Sequence, residues 1–253
     1  MVSARLYKSS TFVASARHTL SCPQIMYYIP QLLTNRYLRH SISTVNEGNM
    51  SFSFGEKADV IKSRTEFLIN VRIPVERSVF LEVQHGTKII EGKESNAGTG
   101  FYSEATALKA DAIVTREKNL AIIILTADCI PVILFDRANE ILVLVHVSRH
   151  NSKLAFLQIV VNYLKREYGT NIQELKAFFG PSIKKESYVL PQFPKGYDLT
   201  GESQNQLILK GVRRENITID PMDTAANEEF FSHYRDSRNK ISEGRFATVA
   251  MLT

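Results

Sequence analysis

The sequence contains no apolar run approaching the ~18 residues of a membrane-spanning helix, which argues against an integral membrane protein. Cysteine is scarce: Cys22 and Cys129 are the only two in 253 residues. A disulfide framework needs more, so Cys129 reads as a free thiol in a reducing, cytoplasmic compartment. Acidic residues are missing from the beginning of the chain. Arg5, Lys8, Arg17, Arg36 and Arg39 all precede the first acid, Glu47. The net charge of +5 therefore belongs to that stretch, and the 26 basic residues that follow balance 26 acidic ones. No nucleic-acid-binding motif accompanies the basic stretch, so DNA and RNA are poor partner classes. Internal repeats and low-complexity tracts are also missing.

What remains is ordinary for a globular protein: 44% hydrophobic and 23% charged residues. Residues 1–25 are Ser-rich, contain Arg and lack acids, a composition like that of an organellar transit peptide. They lack the 7–15-residue apolar core of a secretory signal. We read them as an extension outside the native domain, with Met26 as the functional start and the domain spanning 26–253.

The stretch that organises the chain is 126–150, TADCIPVILFDRANEILVLVHVSRH. Cys129 follows the apolar run 120–125 and precedes 131–135, and His146 ends the run 141–145. Such runs between turn signals predict buried strands. Residues 27–33 form a short apolar lead-in. Alternation at Met50, Phe52 and Phe54 predicts strand and turn over 41–55. A helix is predicted over 59–71, started by Asp59 and ended by Pro74. Strands follow at 79–83, 112–114 and 120–125. Residues 153–168 predict the clearest helix, with Leu154, Leu157, Val161 and Leu164 on one stripe and Gly169 as its stop. A strand at Lys176–Phe179, a helix at 202–210, a short helix at 225–234 and a closing strand at Phe246–Leu252 complete the pattern. Interleaved strands and helices without an internal linker give a single α/β domain with a mixed sheet.

Three residues share one context. His85, Cys129 and His146 each lie at or just past the end of an apolar strand. Taken singly, each has a dull explanation: a lone buried Cys is more often an apolar filler, and a His at a strand end is usually a hydrogen-bonded structural residue. Their long separations in sequence do not force convergence. If brought together, one thiolate and two imidazoles suit zinc, and three protein ligands leave the fourth position of a catalytic site open. The pair of Cys129 with His146 or His85 also suits a nucleophilic thiol.

The chain resembles the laccase-domain proteins, also described as polyphenol-oxidase-like or purine nucleoside phosphorylase family proteins, from about Ile29 to the C-terminus. The resemblance is carried by Gln84-His85-Gly86, Ala110-Asp111-Ala112-Ile113-Val114-Thr115, Thr126-Ala127-Asp128-Cys129-Ile130-Pro131-Val132 and His146. It continues through Phe179-Gly180-Pro181-Ser182-Ile183 with Tyr188, Phe230-Phe231-Ser232-His233-Tyr234-Arg235 and Gly244-Arg245. It implies a layered α/β/β/α sandwich with mixed sheets, with His85, Cys129 and His146 as zinc ligands. It also implies phosphorolysis of adenosine, inosine, guanosine or methylthioadenosine, or deamination of adenosine. Substrates would be a purine nucleoside and phosphate, and the enzyme a monomer or homodimer. The chain departs from the family after His146, where Ala-Gly-Trp-Arg-Gly is replaced by Val147-Ser148-Arg149-His150-Asn151. It also departs at Gln84, Val45 and Asp223-Thr224.

Phosphorolysis needs cations or backbone N–H groups for the phosphate; the candidates are Arg64, Arg149, Lys185, Arg235 and Arg245. Deamination needs a general acid or base; the candidates are Asp128, His150 and Asp223. The His-x-Glu signature of zinc nucleobase deaminases is absent. Three functional classes follow: a zinc-dependent purine nucleoside enzyme, a Cys-nucleophile hydrolase or deamidase, and a non-catalytic zinc-bound descendant. Multinuclear copper chemistry fits least, because six histidines in the chain are few for such a cluster; a single His-Cys-His copper site stays chemically open.

Overall fold

The runs 120–125, 131–135 and 141–145 have no polar face, so each needs cover on both sides. A computed structural model, which describes residues 37–253, shows how they obtain it. In chain order the elements are β1 (Leu38–Ile42), α1 (Lys57–Asn70), β2 (Ser78–Glu82), β3 (Ile89–Glu91), β4 (Leu108–Lys109), β5 (Ala112–Thr115), β6 (Ala121–Thr126) and β7 (Ile130–Asp136). They continue as β8 (Ile141–Val147), α2 (Arg149–Lys153), α3 (Phe156–Tyr168), β9 (Lys176–Phe179), α4 (Leu199–Leu209), β10 (Ile217–Ile219), α5 (His233–Asn239) and β11 (Phe246–Leu252). Short 3-10 turns link several of them.

The strands form two mixed sheets. One has the order β1-β11-β6-β2-β4, antiparallel from β1 to β6 and parallel from β6 to β4. The other has the order β10-β9-β7-β8-β5-β3, antiparallel in the middle and parallel at both edges. Period-two alternation sorts each strand between two cores. Ile122 and Ile124 of β6 meet Ile133, Phe135, Leu142 and Leu144 in the gap between the sheets. Ala121 and Ile123 face the other way, onto Phe67 and Leu68 of α1. Val132, Leu134, Val143 and Val145 face Leu157, Val161 and Leu164 of α3 and Leu207 of α4. The order of layers is thus α1, sheet, sheet, α3 with α4: the α/β/β/α sandwich.

The structure departs from the sequence expectations at several points. Met50, Phe52 and Phe54 do not alternate along a strand: residues 52–54 form a 3-10 turn capped by Ser51. Asp59 is not the cap of α1, which begins after Glu56, although it adds an acid to the first turn. The strands at Ala112–Thr115 and Ala121–Thr126 are adjacent in sequence but belong to different sheets. The long helix over 153–168 is two helices. Ala155 adopts φ 56° between α2 and α3, which leaves Leu154 half exposed instead of on the buried stripe. Gly169 stops α3 in the left-handed conformation, as expected. Residues 225–232 are turns; the helix there starts only at His233. The readings at Cys22, Met26 and residues 1–33 lie outside the described residues. No helix of the described residues is long and apolar enough to cross a membrane.

Candidate metal centre and its two cavities

The three residues converge. One ligand atom each from His85, Cys129 and His146 lies within 4.8 Å of the others. His146 sits on β8, and its neighbour across the ladder is Pro131 of β7. Cys129 occupies the turn between β6 and β7, in different sheets, after Asp128 at φ 78°. His85 follows β2 in the left-handed conformation, φ 56°. The two imidazole rings meet edge to face, with centroids 4.9 Å apart.

A single buried carboxylate orients both histidine segments. Asp111 Oδ1 accepts from His146 Nδ1 at 2.8 Å. Its Oδ2 accepts the Gly86 N–H at 2.8 Å and the Gln84 N–H at 3.3 Å, so it also fixes the turn that carries His85. A carboxylate only accepts, so Nδ1 of His146 carries a proton toward Asp111, and Nε2 is the nitrogen turned to the cluster, able to ligate a metal once it gives up its own proton. This is the carboxylate–histidine arrangement that supports metal ligation. Burial would raise the Asp111 carboxyl, but its bond to His146, the imidazole charge and the two backbone N–H groups hold it below the ordinary value.

The divergent stretch after His146 has a local job. Ser148 and Asn151 form a reciprocal capping box that starts α2. Asn151 Nδ2 also donates to the His146 carbonyl at 2.9 Å. The substituted residues thus lock the strand end that presents the imidazole.

Electrostatically the cluster is a thiolate beside an imidazolium. Burial works against charge on Cys129, yet the His146 charge and hydrogen bonds from His146 and His85 outweigh it and bring the thiol down to about 6. Burial likewise opposes charge on His146, while the Cys129 thiolate and the bond to Asp111 raise it to about 9. A deprotonated sulfur and an imidazole nitrogen aimed at one point are the donors that a zinc ion takes. His85, exposed where His146 is buried, marks the open side.

Two cavities meet at Cys129. One, about 270 Å³, is lined by His85, Cys129, His146, His233 and Arg245. The other, about 300 Å³, is lined by Asp128, Cys129, Arg149, Tyr188, Tyr234 and Arg238, and shares His233 with the first. Larger or better-enclosed hollows lie elsewhere, around Arg137, but they hold none of the chemistry.

Of the candidates from sequence, Asp128, Arg149 and Arg245 lie at these cavities. Asp128 accepts from Thr224 Oγ1 at 2.7 Å and from the Tyr234 N–H at 2.6 Å, which ties α5 and the 223–224 turn to the cysteine loop. Burial raises its carboxyl against those bonds. Arg245 lies over the Phe54 ring and beside Glu243; burial lowers its guanidinium. The other candidates lie away from both cavities. Arg64 is 1% exposed and spends its donors on the carbonyls of Met50, Gly100 and Phe101, between the rings of Phe52 and Phe80. It is a tie inside the protein and cannot reach a phosphate. Arg235 donates to the carbonyls of Thr224, Asn227 and Phe230 and pairs with Asp236, so its fork is full. Asp223 accepts from the Ala225 N–H in its own turn and from the hydroxyl of Ser187, 36 residues away in sequence. His150 and Lys185 are exposed and line neither cavity.

Asp111 and His233 escaped the reading of the sequence. Asp111 carried a signal: a charged residue immediately before a fully apolar strand must be satisfied if buried. Nothing local names its partner, 35 residues away.

Comparison with known proteins places this geometry. Residues 31–253 match the family described as multi-copper polyphenol oxidoreductase laccase. The chain belongs to that family. It is 27% identical over 203 residues to the purine nucleoside phosphorylase YlmD of Bacillus subtilis, covering 71% of this chain and 73% of that protein. A purine nucleoside phosphorylase of Mycobacterium tuberculosis is 27% identical over 218 residues, 78% of this chain and 81% of its own. Among solved structures, YlmD of Geobacillus stearothermophilus superposes with a TM-score of 0.79 at 22% identity, covering 86% of this chain and 92% of that one. That likeness concerns the fold.

Proposed function

We propose that this member of the laccase-like family is a zinc-dependent purine nucleoside phosphorylase. The observation that carries the reading is the convergence of His85, Cys129 and His146 within 4.8 Å around the Asp111 carboxylate. The names of the bacterial relatives supply the substrate class. A divalent cation held by the three side chains would act there as a Lewis acid. Zinc is preferred to copper because the cluster offers only two imidazoles and one thiolate, too few for a multinuclear copper centre.

In phosphorolysis a phosphate oxygen bonds to C1′ of the ribose as the bond from C1′ to the purine nitrogen breaks. The base leaves with the bonding pair and takes up the proton that the phosphate gives up. The chain's part is to orient the nucleoside, hold the anion and exclude water. Deamination of adenosine additionally needs a proton carrier. Asp128 is the one carboxylate lining either cavity, and both its oxygens already accept hydrogen bonds, so phosphorolysis is the primary reading. Zinc-loaded protein given adenosine and phosphate should release adenine and ribose 1-phosphate. Inosine as the product would shift the reading to deamination. No product from adenosine, inosine, guanosine or methylthioadenosine would contradict it.

One observation favours a second reading. Cys129, His146 and Asp111 are aligned as thiolate, imidazolium and orienting carboxylate, the logic of a nucleophilic triad. A hydrolase or deamidase of that kind would need no metal and would lose activity to alkylation in the presence of zinc; full activity of zinc-loaded, alkylation-resistant protein would dismiss it.

A further inference from the structure

The second cavity has no role in holding a metal, yet it shares the Cys129 wall with the metal centre. Its charge is one-sided. Arg149 and Arg238 line it, and neither takes part in the ion pairs found among the described residues, whereas Arg245 in the first cavity stands beside Glu243. The one acid on its wall, Asp128, is occupied by Thr224 and the Tyr234 N–H.

Arg149 is the distinctive group. Its Nη1 is buried and bonds no protein atom, and its guanidinium lies 5.7 Å from the centroid of the Tyr188 ring. A buried guanidinium nitrogen without an acceptor costs free energy, and the cheapest remedy is an acceptor from outside. Arg238 lies over the Tyr234 ring at 3.5 Å and donates to the Tyr234 carbonyl at 3.0 Å, which fixes a second cation at the exposed rim. Arg149 brings a planar fork of donors to the wall of a cavity that Tyr188 and Tyr234 also line, and such a fork suits a tetrahedral oxyanion.

We propose that this second cavity is the phosphoryl subsite, anchored by Arg149 and flanked by Arg238, so that the anion enters on the Arg149 side of Cys129 and the ribose C1′ lies between it and the His85–His146 side. The proposal deepens the phosphorylase reading and rests on it for the nucleoside. The phosphoryl group can be inorganic phosphate or the 5′-phosphate of a nucleotide, and the two sources are separable.

The test is calorimetric titration of the full-length, zinc-loaded protein with inorganic phosphate, adenosine and adenosine 5′-monophosphate, in the wild type, Arg149→Gln, Arg149→Lys and Arg238→Gln. Zinc content checks that each variant retains the centre. Loss of a charge-assisted bond predicts phosphate affinity weaker by roughly ten- to a hundredfold in Arg149→Gln, with less loss in Arg149→Lys and adenosine affinity unchanged. Arg238→Gln, at an exposed site that tolerates substitution, should cost up to about fivefold. If inorganic phosphate is the ligand, the monophosphate binds no better than adenosine. If the nucleotide is the ligand, it binds more tightly than adenosine and loses that margin in Arg149→Gln. Wild-type affinity for both anions in Arg149→Gln and Arg238→Gln, or no anion binding by the wild type, overturns the proposal. Anion binding that depends on Arg149 without nucleoside turnover leaves the subsite standing and removes the phosphorylase reading. Turnover whose phosphate KM ignores position 149 does the reverse.

Discussion

Asp111 supports two of the three candidate ligands at once. One carboxylate sets the tautomer of His146 and pins the backbone turn that carries His85. Asp111→Asn keeps the shape but removes the charge, and such changes behind a ligand typically cost about 10- to 100-fold in metal affinity. Competition against a zinc-binding dye would read that loss. The thiol makes a separate prediction. With Cys129 brought down to about 6, its thiolate is lost as pH falls through 6 and is nearly complete at neutrality. Alkylation of chelator-treated protein should therefore be half-maximal near pH 6 and flat above 7, where a thiol of ordinary pKa, about 8.5, still gains. Zinc should protect it. At this scale the sequence was informative about the ligands and silent about their support. His85, Cys129 and His146 each mark the edge of an apolar run, which is a local property. The bond between Asp111 and His146, and the diversion of Arg64 into carbonyl ties, depend on chain segments that meet only after folding.

Elements show the same division. The continuous apolar runs that became β6, β7, β8, β9 and β11 were readable because both faces of each strand are covered by apolar layers. The split between α2 and α3 was not, because Ala155 takes a left-handed φ that alanine does not advertise. Nor were β3, β4 and β10, which are two or three residues long. Arg64 is the element-scale tie: it joins α1 to the segments at Met50 and at Gly100–Phe101. Arg64→Ala leaves three buried carbonyls without a donor and should lower unfolding free energy by about 3 kcal/mol or more, measured by denaturant titration. The zinc affinity of the folded fraction should not change, because Arg64 lines neither cavity. Gly100 reports on the same joint. Its φ is +76°, and a Cβ there would sit 2.7 Å from the Phe80 carbonyl. Gly100→Ala should destabilise by about 1–3 kcal/mol, with the same readout.

At the scale of the whole molecule, the candidate metal site lies where the two sheets meet. His85 follows a strand of one sheet, His146 lies in the other, and Cys129 sits in the turn that joins the two. A cation held by all three would bind the folded chain and not the unfolded one, and so would clamp the sandwich. At a free metal concentration about 1,000 times Kd the gain is about 4 kcal/mol. For a domain of this size that corresponds to a fall in Tm on the order of 10 °C when a chelator strips the ion. Differential scanning calorimetry with and without chelator would show it, and Cys129→Ser should show almost no difference. The most direct measurement is the metal content of protein purified without added metal, wild type beside Cys129→Ser. A His85–Cys129–His146 zinc centre gives about one zinc per chain in the wild type and almost none in the variant. A wild type without metal, or a variant that keeps its full complement, would contradict it.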